Sequence, residues 1–180
     1  MSNYLANRLR AEGVLMHKTA TLSDCGTYRY RLGREWGSGI GTTYGFIGVN
    51  PSTADADEED ATTRKWRGFV ERWDGDGYEV VNLFAYRATD VKQLKAADDP
   101  FGPENGIHMR RFLEEVDVIV PCWGSLAKVP KEHHEYVRYT LAWLRAGRAG
   151  KPLKHLGLTK GGDPKHPLML PYSTKLEDFT

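Results

Sequence analysis

The sequence predicts a single α/β domain, folded as a three-layer sandwich around a mainly parallel sheet, with antiparallel strand(s) added from the N-terminal side. Two observations predict it. β-rich apolar runs alternate along the chain with segments of helical periodicity, the pattern of a sheet covered by helices on both faces. No break in composition and no internal repeat interrupts the 180 residues, a length that fits one domain and can bury a core without disulfides or a structural metal. Residues 1–26 read as an extension or short helix, and 27–180 as the core.

The elements follow in chain order. Ser2 to Glu12 suits a short helix. Thr27 to Trp36 alternates, with Tyr28, Tyr30, Leu32 and Trp36 on one side and Arg29, Arg31 and Arg34 interleaved, so a half-exposed antiparallel strand is expected. Residues 37–41 are Gly-rich and form a turn or loop. Thr42 to Val49 is a buried strand, stopped at Asn50 because Pro51 lacks the N–H that a central ladder needs. A helix runs from Thr62 to Trp73, with Asp60 or Thr62 as N-cap. Tyr78 to Phe84 is the next buried strand. Asp90 to Ala97 is a short helix and Pro103 to Glu115 a longer one. Val116 to Pro121 is a third buried strand, Pro130 to Arg148 a long helix and Leu153 to Leu158 a fourth strand.

Apolar residues make up 40% and charged residues 27% of the chain, an ordinary globular balance. A formal charge of +1 gives no long-range pull on nucleic acid, so any such contact must come from a local patch. Cys25 and Cys122 stand apart with no metal-like spacing and read as two buried, inert thiols in a reducing compartment. Met1 to Arg10 holds no apolar run of the signal-peptide kind, and no stretch approaches the ~20 apolar residues of a membrane span. A cytoplasmic protein without membrane contact is expected.

In parallel sheets, ligands bind outside the carboxyl ends of the strands. Four such ends carry polar or aromatic groups: Asn50-Pro51-Ser52, Asn82-Leu83-Phe84, Cys122-Trp123-Gly124 and the loop from Lys160 to Leu168. Asn50 either caps the turn or holds a water or base edge. Asn82 lies in an apolar run and needs partners, either a neighbouring loop or a ligand's base edge. His166 is a surface imidazole or a donor to a departing anion. Trp123 is core or a flat wall, and Gly124 lets backbone come close to a ligand.

The acidic run containing Asp55, Asp57, Glu58, Glu59 and Asp60 is a solvated loop, the source of a general base or a place to bind Mg²⁺ with phosphate. No zinc, EF-hand or phosphate-loop spacing is present, and the adjacent His133 and His134 do not share a helix face. No metal and no cofactor are expected.

The segments Tyr28-Arg29-Tyr30-Arg31-Leu32, Gly48-Val49-Asn50-Pro51-Ser52-Thr53-Ala54, Val81-Asn82-Leu83-Phe84-Ala85-Tyr86-Arg87-Ala88-Thr89, Trp123-Gly124 and His166-Pro167-Leu168 resemble the domain-of-unknown-function 1643 family over nearly the whole chain. The same strand ends are similar, more distantly, to those of the uracil-DNA glycosylase superfamily. There the motif matched by Gly48-Val49-Asn50-Pro51 positions water, a strand Asn at the place of Asn82 reads the base, and a His-Pro loop like His166-Pro167 stabilises the leaving base. This chain departs from it in having Ser52 for Gly and Leu168 for Ser.

That likeness implies a uracil-DNA-glycosylase-like fold and a nucleobase, nucleotide or DNA ligand, modified DNA included. Asn50 and His166 would be catalytic, with Asp55, Asp57 or Asp60 as auxiliary base. Gly48, Pro51, Ser52, Asn82, Phe84, Trp123 and Gly124 would surround the base, with Phe84 or Trp123 stacking on it. Arg64, Lys65, Arg67, Arg87, Lys160 and Lys165 would contact phosphates. An N-glycosidase, a catalytically inactive binding module and a protein-interaction domain are the three readings the sequence leaves open.

Overall fold

The computed structural model describes residues 16–36, 41–52 and 60–179. The expected helix from Ser2 to Glu12, most of the Gly-rich turn and residues 53–59 lie outside the described residues. Five strands form the main sheet: β1 (His17–Leu22), β2 (Arg29–Glu35), β3 (Thr43–Gly48), β4 (Gly77–Asn82) and β5 (Val118–Pro121), in the order β1-β2-β4-β3-β5. β3 pairs in parallel with β4 and β5, whereas β2 pairs antiparallel with β1 and β4. The sheet is therefore mixed rather than mainly parallel. Helix α1 (Ala61–Arg72) links β3 to β4, α2 (Asn105–Glu115) precedes β5, and α3 (His134–Arg145) follows it. Among the described residues no helix is long and apolar enough to cross a membrane.

The pleat sorts the core into two faces. Tyr44 and Phe46 of β3 and Tyr78 and Val80 of β4 pack toward α1 with Trp66 and Val70. Phe46 stacks on Trp66 with ring centroids 5.5 Å apart. Ile47, Val81 and Ile119 face the other way, into a cluster with Phe112, Val116, Val137 and Leu144 from α2, its C-terminal end and α3. Gly45 is needed there, because a Cβ would fall 2.5 Å from the Phe112 ring. α1 begins as its sequence predicts: Asp60 is the N-cap and accepts from the Thr62 and Thr63 N–H groups at 2.9 and 2.8 Å.

Three expectations need correction. Residues 17–22, placed in an N-terminal extension, form the edge strand β1. β2 is not half-exposed: it lies between β1 and β4, with Arg29 and Arg34 buried. Its single-sided alternation also fails. Thr21 pairs with Arg31 but Leu22 pairs with Arg29, so Tyr30 is an extra, bulged residue. Past it the faces exchange. Leu32 and Trp36 join the α1 cluster, while Tyr30 stacks on His108 of α2 at 4.8 Å.

The fourth predicted strand contributes only a bridge from Leu153 to Ile119. β6 (Lys154–His155) pairs instead with β7 (Glu177–Asp178) in a separate two-stranded sheet. Gly157, at φ +94°, then turns the chain away from any continuing strand.

Candidate functional site

The parallel ladder of β3 and β4 continues past the strands into the two loops that follow. Leu83 N–H donates to Gly48 O at 3.0 Å, Phe84 N–H to Val49 O at 2.9 Å and Ala88 N–H to Pro51 O at 3.0 Å. Asn50 fastens the same loops, its Nδ2 donating to Ala88 O at 2.7 Å and Pro51 O at 3.2 Å. Both amide hydrogens of Asn50 thus hold the turn, and only its Oδ1 is left to orient a water or ligand.

These loops, the start of α1 and the His166 loop enclose a cavity of about 220 Å³. Gly48, Asn50, Ser52, Asp60 and Asn82 line it, as do Arg29, Thr62, Thr63, Trp66 and His166. Asn82 is 3% exposed. It lies on the α1 side of β4, two residues beyond Val80, and crosses in front of Gly48, where a Cβ would sit 2.6 Å from its Oδ1. Among the described residues its carboxamide has no hydrogen-bond partner. Its amide atoms are not among the buried side-chain atoms that lack a partner, so they open on the cavity, where a ligand presenting a donor and an acceptor would bond them.

His166 arrives from the opposite side on a loop tied to the end of β5. Gly124 N–H donates to Pro164 O at 2.9 Å, and Leu126 N–H donates to Asp163 Oδ2 at 2.9 Å. Gly124 takes φ +81° and comes within 3.5 Å of the His166 Cβ when its missing Cβ is built. The Leu168 N–H donates to His166 Nδ1 at 3.3 Å, which places the proton of the neutral ring on Nε2. Burial, aided by Lys128, pushes the imidazole pKa down, and Asp60 only partly offsets this. His166 is thus a neutral N–H donor beside the cavity.

Asp60 is fully engaged. Its Oδ1 accepts the two α1 N–H groups and its Oδ2 accepts the Ser52 hydroxyl at 2.8 Å. Burial raises its pKa, but the Thr63 N–H, the Ser52 hydroxyl and the Thr62 N–H outweigh it and hold the carboxylate below its usual range. This is a helix cap that also forms a cavity wall.

The sequence reading missed Arg29, Thr62, Thr63 and Trp66. Arg29 interleaves with aromatic residues in a strand expected to be half-exposed, and the bulge at Tyr30 turns it toward the cavity. Burial lowers its pKa to about 10, with Asp60 opposing and Arg87 and Arg34 adding to the shift. Trp66 is the aromatic residue that lines the cavity among the described residues, in place of Phe84 or Trp123. Phe84 is 0% exposed and packs against Phe101 and Tyr136. Trp123 belongs to the same core beneath α2 and α3. Neither lines the cavity.

Of the basic residues expected to meet phosphates, none lines the cavity. Arg64, Lys160 and Lys165 are exposed, and Arg67 lies 3.8 Å from Glu71. Lys65 donates to Leu170 O at 2.6 Å and covers the Tyr172 ring. Arg87 donates to Gly26 O at 3.1 Å. Asp55 lies outside the described residues. Cys122 is buried, its thiol pushed up to about 12 by burial, but Cys25 is exposed rather than buried, its pKa lowered to about 7 by the Ser23 and Thr27 hydroxyls. Among the described residues no group of three His, Cys, Asp or Glu side chains could hold a metal ion.

Another cavity, about 300 Å³, lies between α2 and α3 and is lined mostly by apolar groups such as Met109, Leu113 and Trp143. It is roomier, but it lacks convergent polar groups, so the strand-end cavity is the better candidate for chemistry.

No curated protein and no solved structure matches this chain. A family model described as protein of unknown function (DUF1643) matches residues 29–168. Those residues include every described side chain that lines the strand-end cavity, and the chain belongs to the DUF1643 family.

Proposed function

We propose that this protein recognises a nucleobase in the strand-end cavity, with the Asn82 carboxamide reading its edge. The observation that carries the reading is the Asn82 carboxamide, which opens on the cavity and has no hydrogen-bond partner among the described residues. A carboxamide offers one acceptor and two donors in a plane, the complement of a base edge that presents a donor beside an acceptor. Trp66 adds an aromatic side chain to the lining. A cavity of about 220 Å³ falls below the ~300–1,000 Å³ of sites for drug-sized ligands, which suits a single ring system. The order of the Gly48-Val49-Asn50-Pro51, Asn82, Trp123-Gly124 and His166-Pro167 segments, with its likeness to the uracil-DNA glycosylase superfamily, agrees with this reading.

The tautomer of His166 favours hydrolysis of an N-glycosidic bond as the reaction. Water would add to the sugar C1′ as the C1′–N bond breaks. The bonding electrons would pass to the base, and the neutral His166 Nε2–H would hydrogen-bond the charge developing there, while the proton lost by the attacking water passes to solvent and the departed base anion takes one up in turn. Asn50 Oδ1 would orient the water. Asp60 is a poor general base, because its oxygens already accept three hydrogen bonds.

The test pairs binding with turnover. Thermal stabilisation is measured with free bases, nucleosides and nucleotides. Base release is measured with the same compounds and with duplexes carrying uracil, mismatches or modified pyrimidines. At least one base should stabilise the protein, and Asn82→Ala should abolish the effect. Turnover that His166→Ala lowers at least about 100-fold supports hydrolysis. Binding without turnover leaves a recognition module, and no stabilisation by any base defeats the proposal.

A further inference from the structure

We infer that the cavity between α2 and α3 is a second binding site, which takes a small aromatic carboxylic acid: the ring lies among the apolar side chains and the carboxylate meets Arg110 at the rim. The inference is independent of the nucleobase reading. This cavity lies on the other side of the sheet from Asn82 and shares no lining residue with the strand-end cavity.

Four observations carry it. First, the helices leave space above a finished core. Ile47 and Leu144 are buried at its base, while Met109, Leu113, Tyr136 and Trp143 pack on that core and stay partly open. At about 300 Å³ the cavity reaches the lower bound of small-molecule sites, which are mostly apolar and recur between packed helices. Second, Gly106 lines this space from the first turn of α2, where glycine weakens a helix relative to alanine. Neither backbone nor packing requires it. Its φ is not positive, and a Cβ built there would meet nothing within 4 Å. Glycine at this position keeps room that the protein itself does not use. Third, Arg110 is the charged side chain of the lining, and no carboxylate accompanies it there. It is exposed, and among the described residues it has no hydrogen-bond or ion-pair partner. Its planar fork of donors matches a carboxylate. Fourth, the apolar lining is rich in aromatic groups. Tyr139 joins Tyr136 and Trp143 and stands 67% exposed beside the opening. Such groups favour a ring over an aliphatic chain.

A protein partner fits this face less well. A stable interface buries about 800 Å² on each side, through roughly 20–30 residues. The large apolar residues exposed on the two helices are Ile107 and Tyr139, and charged residues such as Arg111, Glu114, Glu135 and Arg138 occupy other exposed positions.

The experiment titrates the isotope-labelled full chain with benzoate, phenylacetate and indole-3-acetate, and with the matching neutral amides, at neutral pH and fixed ionic strength. Nuclear magnetic resonance follows the Gly106 and Thr140 backbone amides and the Trp143 indole N–H, all in the lining. At least one acid should move them in saturable fashion, with a dissociation constant below about 1 mM, while the Asn82 side-chain amide holds still. Its neutral amide should bind at least about tenfold more weakly, for want of the charge-assisted hydrogen bonds. Arg110→Gln should bring the acid down to the amide's level. Gly106→Leu, which puts a side chain into the open space, should weaken both compounds at least about tenfold. Should Gly106→Leu fail to fold, Arg110→Gln at its exposed position decides. Failure of every acid to give saturable movement overturns the inference, as does equal affinity for acid and amide. Movement of the same signals on raising the protein concentration alone, with slower diffusion, would make a second copy of the chain the occupant and overturn it too.

Discussion

The carboxyl ends of β3 and β4 meet two surfaces of opposite character. On the α1 side Asn82, Arg29, Ser52 and Asp60 surround an open polar cavity. On the α2 and α3 side Leu83, Phe84 and Trp123 fill the space with an apolar core. Neighbouring residues of one segment thus do different work. Leu83 and Phe84 stabilise the fold by burial. Asn82 carries a polar group that has no partner among the described residues. A site of this kind is located by which side of the sheet a residue takes, and its residue type alone does not reveal that.

The comparison can be broken first at Phe84. Phe84→Ala should cost about 3–5 kcal/mol by urea unfolding, while the protein that remains folded binds its ligand unchanged. A stability loss below about 1 kcal/mol with loss of binding would return Phe84 to the site and erase the contrast.

Gly48→Ala tests how the polar side is held. A Cβ would fall 2.6 Å from Asn82 Oδ1, so the carboxamide must move. The expected outcome is a stability loss of about 1–3 kcal/mol with affinity lowered at least about tenfold. Ligand affinity that survives the change would mean that Asn82 does not need its observed position.

Asp60→Ala should cost about 0.5–2 kcal/mol, the usual range for a lost cap. Its folded pKa lies below the ordinary 3.8. The stabilisation it provides is therefore present above about pH 3.8 and lost as pH falls through the lower folded value. Urea unfolding between pH 2.5 and 6 should show a shallower acid slope in the variant than in the wild type. Identical slopes would contradict the capping role.

Asn82→Leu should have the smallest effect on stability. It removes an amide that opens on the cavity and has no partner among the described residues, so unfolding free energy should change by less than about 1 kcal/mol, while binding is lost. A large loss of stability would show that Asn82 is structural.

Much of the fold was legible in the sequence. Asp60 before a helical run is a strong start signal, and Pro51 after an apolar run is a strong stop. The gathering of strand ends around Asn50, Asn82 and His166 followed from the order of the elements. What remained hidden depended on pairing between distant residues. β1 reads as a polar segment and becomes a strand only against β2. The bulge at Tyr30 exists only in the register of those two strands, so the inward turn of Arg29 left no local trace. Phe84 and Trp123 carry the composition of a base-stacking site, yet the pleat and the end of β4 send them to the core. Trp66 looked like one more apolar position on its helix, because nothing in helical spacing distinguishes a cavity wall from a core contact.

The most direct measurement follows the side-chain amide signals of Asn82 and Asn105 by nuclear magnetic resonance while the best-binding nucleotide is added. Asn105 is the comparison within the same molecule, a buried amide whose Nδ2 already donates to Asn82 O and Leu83 O. The account predicts that the Asn82 amide signals move in saturable fashion as its carboxamide gains a partner, while those of Asn105 and the Gly106 backbone amide beside the apolar cavity hold still. Movement at Gly106 and Thr140 with no change at Asn82 would place the ligand between α2 and α3 and contradict it.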